Sequence, residues 1–195
     1  MNPARLFAAL ALCAVVTGVA LLPPSHRWDT AITAWIQRGA PAPDRPAAAL
    51  VFLGDAEVMI PAVVLAGLLI GRRDPTRTGP ALRLAAGLAG VSVIAFGLKY
   101  VVPHPGPSPE FQRAVVRWGV SVTQPFSFPS GHTMRTAFFA LTALRRAPVA
   151  AGTLVAAMMA ALVYLGDHWP SDVLGGLCLA LACAELARRA QTPAR

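Results

Sequence analysis

An all-α bundle of six transmembrane helices, with its active site at the outer membrane interface, is the architecture this sequence predicts. Three observations carry the prediction. Of the 195 residues, 55% are hydrophobic and 13% charged, and the mean hydropathy is +0.56, which sets the chain apart from an ordinary soluble domain. Apolar stretches recur at or near the roughly 20 residues that cross about 30 Å of hydrocarbon. Arginines gather at alternate ends of those stretches, the pattern found in short cytoplasmic loops. Residues 1–195 read as one domain without repeats or low-complexity linkers.

The first span, Leu6–Leu22, follows Arg5. Leu21-Leu22-Pro23-Pro24 lacks a small-x-small cleavage pattern, so the segment reads as a retained span and not a signal peptide. An outer loop, Pro23 to Ala48, carries Trp28 to Ile36, whose apolar positions 28, 32, 35 and 36 have helical spacing. They predict an interfacial helix that packs on the bundle as a lid. The second span, Ala49–Ile70, ends at the basic turn Gly71 to Gly79. Asp55 and Glu57 sit at its outer end, or else face the bundle interior and pair with an arginine. The third span is Leu82–Val102, and the proline-rich loop Pro103 to Pro129 after it predicts irregular backbone near the reacting centre. Thr133–Leu144 is a short fourth span, followed by the tight turn Arg145 to Pro148, a fifth span Val149–Gly166 and a sixth Val173–Ala187.

Arg5, Arg72, Arg73, Arg77, Arg83, Arg145, Arg146, Arg188, Arg189 and Arg195 all fall on one side of this arrangement. Both termini are therefore expected in the cytoplasm, in a plasma (inner) membrane. Trp28, Trp35, Trp118 and Trp169, with Tyr100 and Tyr164 nearby, are expected to form an aromatic belt on the outer side. A formal charge of +8 would suggest nucleic acid in a soluble protein. Here topology and anionic headgroups account for the arginines, and no nucleic-acid partner is expected. Cys13, Cys178 and Cys183 fall inside spans as small apolar fillers, without a disulfide framework or zinc spacing.

Two polar clusters interrupt the apolar pattern where helices should meet water. In Pro129-Ser130-Gly131-His132, Ser130 is a favoured N-cap for the helix that follows. The first N–H groups of that helix lack intrahelical acceptors, and Gly131 has no side chain to block a close approach, so an anion can dock there. His132 projects from the same turn, either placed to donate a proton or simply an interfacial histidine beside an ordinary cap. In His168-Trp169-Pro170-Ser171-Asp172, Pro170 suits the first turn of the last helix. Asp172 can then reach back to His168, fixing its tautomer and raising its basicity, as a nucleophilic or general-base histidine requires. Lys99, beside Tyr100 at the end of the third span, either joins this pocket or snorkels to the interface.

The order and spacing of these residues resemble the type 2 phosphatidic acid phosphatase superfamily, which also includes vanadium haloperoxidases. Its signature has three parts: Lys, six residues, Arg-Pro; then Pro-Ser-Gly-His; then Ser-Arg, five residues, His, three residues, Asp. Here the first part runs from Lys99 to Gly106-Pro107, the second is intact at 129–132, and the third reads Ala161-Leu162, five residues, His168, three residues, Asp172. Both family arginines are thus replaced, by Gly106 and Leu162, and the serine by Ala161. Loss of such charge-assisted clamps removes phosphate and transition-state stabilisation. Arg135, three residues after His132 on nearly the same helix face, is a candidate replacement, because an arginine one turn inside an apolar helix normally faces a polar cavity. Arg113, Arg117 and His104 are further candidates, although as loop residues they read first as solvated or headgroup-facing groups. Asp167 either repels phosphate or pairs with Arg135.

The resemblance implies a metal-independent lipid phosphate or diphosphate phosphatase that needs no cofactor and acts on a prenyl diphosphate or phosphatidate type of substrate. In it His168 attacks phosphorus, Asp172 orients it, and His132 protonates the leaving oxygen. Lys99 and the Ser130 and Gly131 amides hold the phosphoryl group, with Arg135 as the candidate replacement clamp. Two alternatives stay open: a lipid phosphotransferase using the same histidine, and a lipid-binding pseudoenzyme. No magnesium-type carboxylate cage is visible in the sequence.

Overall fold

The computed structural model describes residues 3–22, 25–39, 43–116 and 124–190. Within them lie the helices α1 (Pro3–Ala20), α2 (Ser25–Gly39), α3 (Asp44–Leu53), α4 (Ala56–Gly71), α5 (Thr78–Leu98), α6 (Gly131–Ala143), α7 (Pro148–Leu165) and α8 (Pro170–Ala190), and no strand. Arg117 and Trp118 fall outside the described residues.

The bundle is organised around α6, one of its shortest helices. At 13 residues it is about 20 Å long, less than a bilayer core. It is enclosed by α5, α7 and α8, and Thr133, Met134, Arg135, Thr136, Ala137, Phe138 and Ala140 are all buried. Met134, Ala137, Phe138 and Ala140 join Leu88, Val91 and Ala95 of α5, Val155 of α7 and Ala180 and Ala184 of α8 in the main apolar core. The approach of α8 to the start of α6 depends on Gly176, where an added Cβ would stand 2.5 Å from the Ser130 carbonyl oxygen and 3.1 Å from Thr133 Cβ.

The outer helices follow from composition. α1 packs on α8 through a small cluster of Cys13, Cys178 and Ala182, so two of the three cysteines are buried fillers. α4 lies along α5, and α3 along α7. The segment Pro75–Leu98, α7 and Pro170–Arg189 are long and apolar enough to cross a membrane, and α3 with α4 passes the same test as a bent pair. The protein is an integral membrane protein of all-α architecture.

The structure departs from the expected second span, which is not continuous. α3 and α4 meet at a bend of 60°. Gly54, a poor helix former, ends α3, and Asp55 in extended conformation precedes α4. The aromatic belt also differs. Trp28 and Trp35 are largely exposed, as is Tyr100, but Trp169 is fully buried and Tyr164 nearly so. Trp169 donates its indole N–H to Pro105 O at 3.0 Å, and Tyr164 donates to Asp44 at 2.6 Å. Each buried ring has found a partner for its polar tip, which turns it from a headgroup anchor into a structural brace.

α2 is amphipathic with its polar side turned inward. Trp28, Ile32 and Trp35 point outward, whereas Asp29 and Thr33 are buried. On the inward stripe, His26 meets the Trp169 ring edge-on, Asp29 binds Ser171, and Gln37 donates to Phe111 O and Tyr164 O. The helix acts as the expected lid on α7 and α8, fastened by hydrogen bonds.

Candidate active site

The two polar clusters come together at one end of the bundle. Ser130 caps α6, its Oγ accepting from Thr133 N at 3.3 Å. Its own N–H is donated to the Asp172 carbonyl at 3.0 Å, a backbone link between the clusters. The Ser130 amide is therefore spent, and the N–H groups that the helix start leaves without an intrahelical acceptor are those of Gly131 and His132. α7 ends at Gly166, whose φ of 70° is the left-handed C-cap that suits glycine. The reversal carries the chain to His168 and into α8, which begins at Pro170.

His168 Nδ1 stands 3.3 Å from Asp172 Oδ2, leaving Nε2 as the outward nitrogen. Burial pushes the imidazole pKa below its ordinary value, and the Lys99 charge adds to this against the pull of Asp172. The ring is neutral near pH 7, the form a nucleophile needs. Asp172 has no solvent exposure, and the same Oδ2 also accepts from Ser127 Oγ at 2.8 Å and Trp169 N at 2.9 Å. Such a carboxylate is fixed in place, and so is the ring it holds.

His132 lies opposite, with its ring centroid 6.4 Å from that of His168. Its Nε2 is 2.6 Å from Asp55 Oδ1. Each histidine thus has its own carboxylate. The break between α3 and α4 is what delivers Asp55, so the carboxylate turns inward instead of capping a span at the surface. Of the two readings open in the sequence, the interior one holds for Asp55, with a histidine as its partner, whereas Glu57 is exposed.

Arg135 is buried and donates Nε to Gly54 O at 2.8 Å, closing the carbonyl freed by the helix break. Its Nη1 lies 3.1 Å from where a Cβ on Gly131 would stand, so the guanidinium lies against the α6 N-terminus. Asp55 and Glu57 are the carboxylates that act on it. Lys99 is the C-cap residue of α5. Its pKa is lowered to about 8, first by burial, then by a balance in which Asp172 raises it and Arg135 lowers it. His168, Asp172 and Arg135 all lie within electrostatic reach of this ammonium.

Several residues sit elsewhere than expected. Leu162 is fully buried among Met158, Val163 and Val173. Arg113 forms an ion pair with Asp44 at 2.7 Å and lies 4.5 Å over the Tyr164 ring, bracing the 103–116 segment. His104 is not solvated. It is buried, with Nδ1 3.0 Å from Asp172 Oδ1 and Nε2 3.7 Å from Asp29 Oδ2. Asp29 and Ser127 also belong to the site's surroundings without having been singled out from sequence. For Asp29 the available signal was the polar stripe 26, 29, 33, 37 of α2, opposite its tryptophans.

A family model described as the PAP2 superfamily matches residues 80–195. Among solved structures, the chain is similar to the first transmembrane PAP2 type phosphatidylglycerolphosphate phosphatase from Bacillus subtilis. The two are 20% identical over 98% of this chain and 99% of that one, with a TM-score of 0.79. It is also similar to LpxE from Aquifex aeolicus, at 19% identity over 83% of this chain and 95% of that one, with a TM-score of 0.63. At such identities the likeness is one of fold. No curated protein matches the sequence.

Proposed function

The chain belongs to the PAP2 superfamily, and from that premise we propose that it is a lipid phosphate or diphosphate phosphatase working through a phosphohistidine. The observation that carries the reading is the pair of imidazole–carboxylate couples, His168 with Asp172 and His132 with Asp55, whose rings are 6.4 Å apart.

The chemistry runs in two steps. Neutral His168 attacks phosphorus through Nε2; the P–N bond forms, the bond to the lipid oxygen breaks, and His132 gives that oxygen a proton. Water then attacks the phosphohistidine while His132 takes a proton from it, releasing phosphate and restoring both rings. Asp172 orients the nucleophile, and Asp55 orients the acid and supports its protonated form. Protonation of the leaving group does the work that a metal would otherwise do.

The phosphoryl oxygens are held by the Gly131 and His132 amides with the helix dipole, the Ser130 hydroxyl, Lys99 and Arg135. Arg135 stands in for the two missing family arginines: Nε is committed to Gly54 O, and Nη1 lies against Gly131 at the start of α6. The substrate is an amphiphile with a terminal phosphate or diphosphate, of the prenyl diphosphate or phosphatidate type, presented at the outer leaflet of the plasma membrane, with both termini of the chain cytoplasmic. The Bacillus subtilis neighbour's phosphatidylglycerolphosphate is a further member of this class.

The test is phosphate release by purified protein in detergent with EDTA, from prenyl diphosphates, phosphatidate and phosphatidylglycerolphosphate. Release that survives EDTA, vanishes in His168→Ala and falls by about 10²-fold or more in Arg135→Ala is expected. Undiminished turnover in His168→Ala would remove the mechanism. Phosphoryl transfer to added alcohols in place of hydrolysis would make the protein a transferase.

A further inference from the structure

We propose that His104, braced by Asp29, is a positioning residue that tunes the nucleophile His168 through the carboxylate they share, Asp172. The inference rests on the reading of His168 as nucleophile.

The two oxygens of Asp172 serve different partners. Oδ2 takes His168, Ser127 and the Trp169 amide. Oδ1 faces only the His104 ring among the contacts described, at 3.0 Å, in a charge contact that is not aligned as a hydrogen bond. On its far side His104 Nε2 meets Asp29 Oδ2 at 3.7 Å and Ser171 Oγ at 3.5 Å. Asp29 is anchored in turn by Ser171 N at 2.9 Å and Ser171 Oγ at 2.7 Å. One imidazole therefore sits between two buried carboxylates, one from α2 and one from α8.

The backbone around His104 is fixed as tightly as its ring. Its carbonyl accepts from Ser127 N at 2.9 Å and Ser127 Oγ at 3.2 Å, and the next carbonyl, of Pro105, takes the Trp169 indole. The Phe128 ring packs on it edge-on. Asp29, Asp172 and Ser171, with Ser127 and Phe128, are the groups that face it. An apolar residue could fill this space, but it would leave two buried negative charges with nothing between them. Burial alone would lower the His104 pKa; the close carboxylate of Asp172 and the charge of Asp29 outweigh it and hold the imidazole above its ordinary value. The Asp29 carboxyl is raised by its own burial, as fits an acid that shares a proton-rich pocket.

A cation on Oδ1 draws charge from Asp172 and so weakens its hold on the His168 proton. Removing that cation leaves Asp172 more negative toward His168, raises the pKa of the nucleophile and makes it neutral only at higher pH. The sequence gives His104 a further meaning. It stands two residues before Gly106, where the resemblance places an arginine, so this stretch still delivers a basic side chain to the site, set against the carboxylate behind the nucleophile.

The experiment uses the full chain in detergent micelles with 15N-labelled histidine, and follows the His168 ring by NMR through a pH titration. His104→Asn keeps a donor near the Nδ1 position and loses the charge. The His168 midpoint is expected to rise by about one pH unit in that variant, and by less in Asp29→Asn. The acid limb of kcat/KM should move up by the same amounts. An unchanged His168 midpoint in both variants, with any rate loss uniform across pH, would reduce His104 to packing and overturn the proposal. Because the midpoint is read without turnover, a protein that released no phosphate from any lipid would defeat the phosphatase reading while the NMR shift still decided this one.

Discussion

Lys99 offers the most quantitative test of the site. Its pKa is lowered to about 8, chiefly by burial, so the ammonium is about 90% present at pH 7 and only about 10% present at pH 9. A lipid phosphate monoester has its second pKa near ~6, so above about pH 7.5 the substrate is fully ionised and a further change belongs to the enzyme. If the ammonium holds the phosphoryl oxygens, kcat/KM falls about tenfold per pH unit above about pH 8. Bound substrate favours the charged amine, so the matching limb in kcat lies at higher pH. Lys99→Arg keeps the charge through the whole range, since a guanidinium does not titrate there, and its alkaline limb should disappear. Initial rates of phosphate release from about pH 6 to about pH 10, for both proteins on one lipid, measure this. A flat profile in the parent between pH 7 and 9, or an equal alkaline limb in Lys99→Arg, would show that Lys99 does not bind the phosphoryl group.

Asp55→Asn should lower kcat by about 10- to 100-fold with little change in KM, because it loosens the proton donor and not the phosphate; a rise in kcat would mean that the carboxylate competes with substrate for His132. Gly176→Ala should cost about 1–3 kcal/mol by forcing α8 away from the Ser130 carbonyl, seen as a Tm several degrees lower in a thermal melt; an unchanged Tm would show that the contact relaxes freely. Leu162→Arg restores the family residue type but puts a charge among Met158, Val163 and Val173. It should destabilise by about 3–5 kcal/mol without gain in rate, and higher activity in a fully folded variant would refute the inward placement of Leu162.

The helices were legible because apolar runs and caps are local signals. Ser130, Pro170 and Gly166 mark their boundaries in the sequence itself, and the structure starts and stops helices at them. The intact motif parts likewise placed His132, His168 and Asp172 together. The bend at Gly54 and Asp55 was not legible, because hydropathy averages over a single glycine and treats the segment as one run. His104 and Asp29 were missed for a different reason. Each is a lone ionisable residue in a loop or an interfacial helix, and its burial is decided by distant partners, Asp172 for His104 and Ser171, 142 positions away, for Asp29, which no local pattern encodes. Trp169 shows the same limit: an aromatic near a helix mouth reads as a lipid anchor until the Pro105 carbonyl is seen opposite its indole.

The broken α3–α4 segment also bears on how the chain is assembled. The Gly54 carbonyl is closed by Arg135, 81 residues later, and Asp55 waits for His132, 77 residues later. At a synthesis rate of about 5–20 residues per second, the break is made roughly 4–16 s before its partners exist. A non-helical carbonyl and a carboxylate cannot stand exposed to hydrocarbon for that time, so the segment must stay near water or the insertion machinery until α6 arrives. A nascent chain halted before residue 130 should leave Asp55→Cys open to a water-soluble thiol reagent, and one carried past α8 should close it. Catalytic assembly and membrane insertion would then be completed by the same event, the arrival of α6.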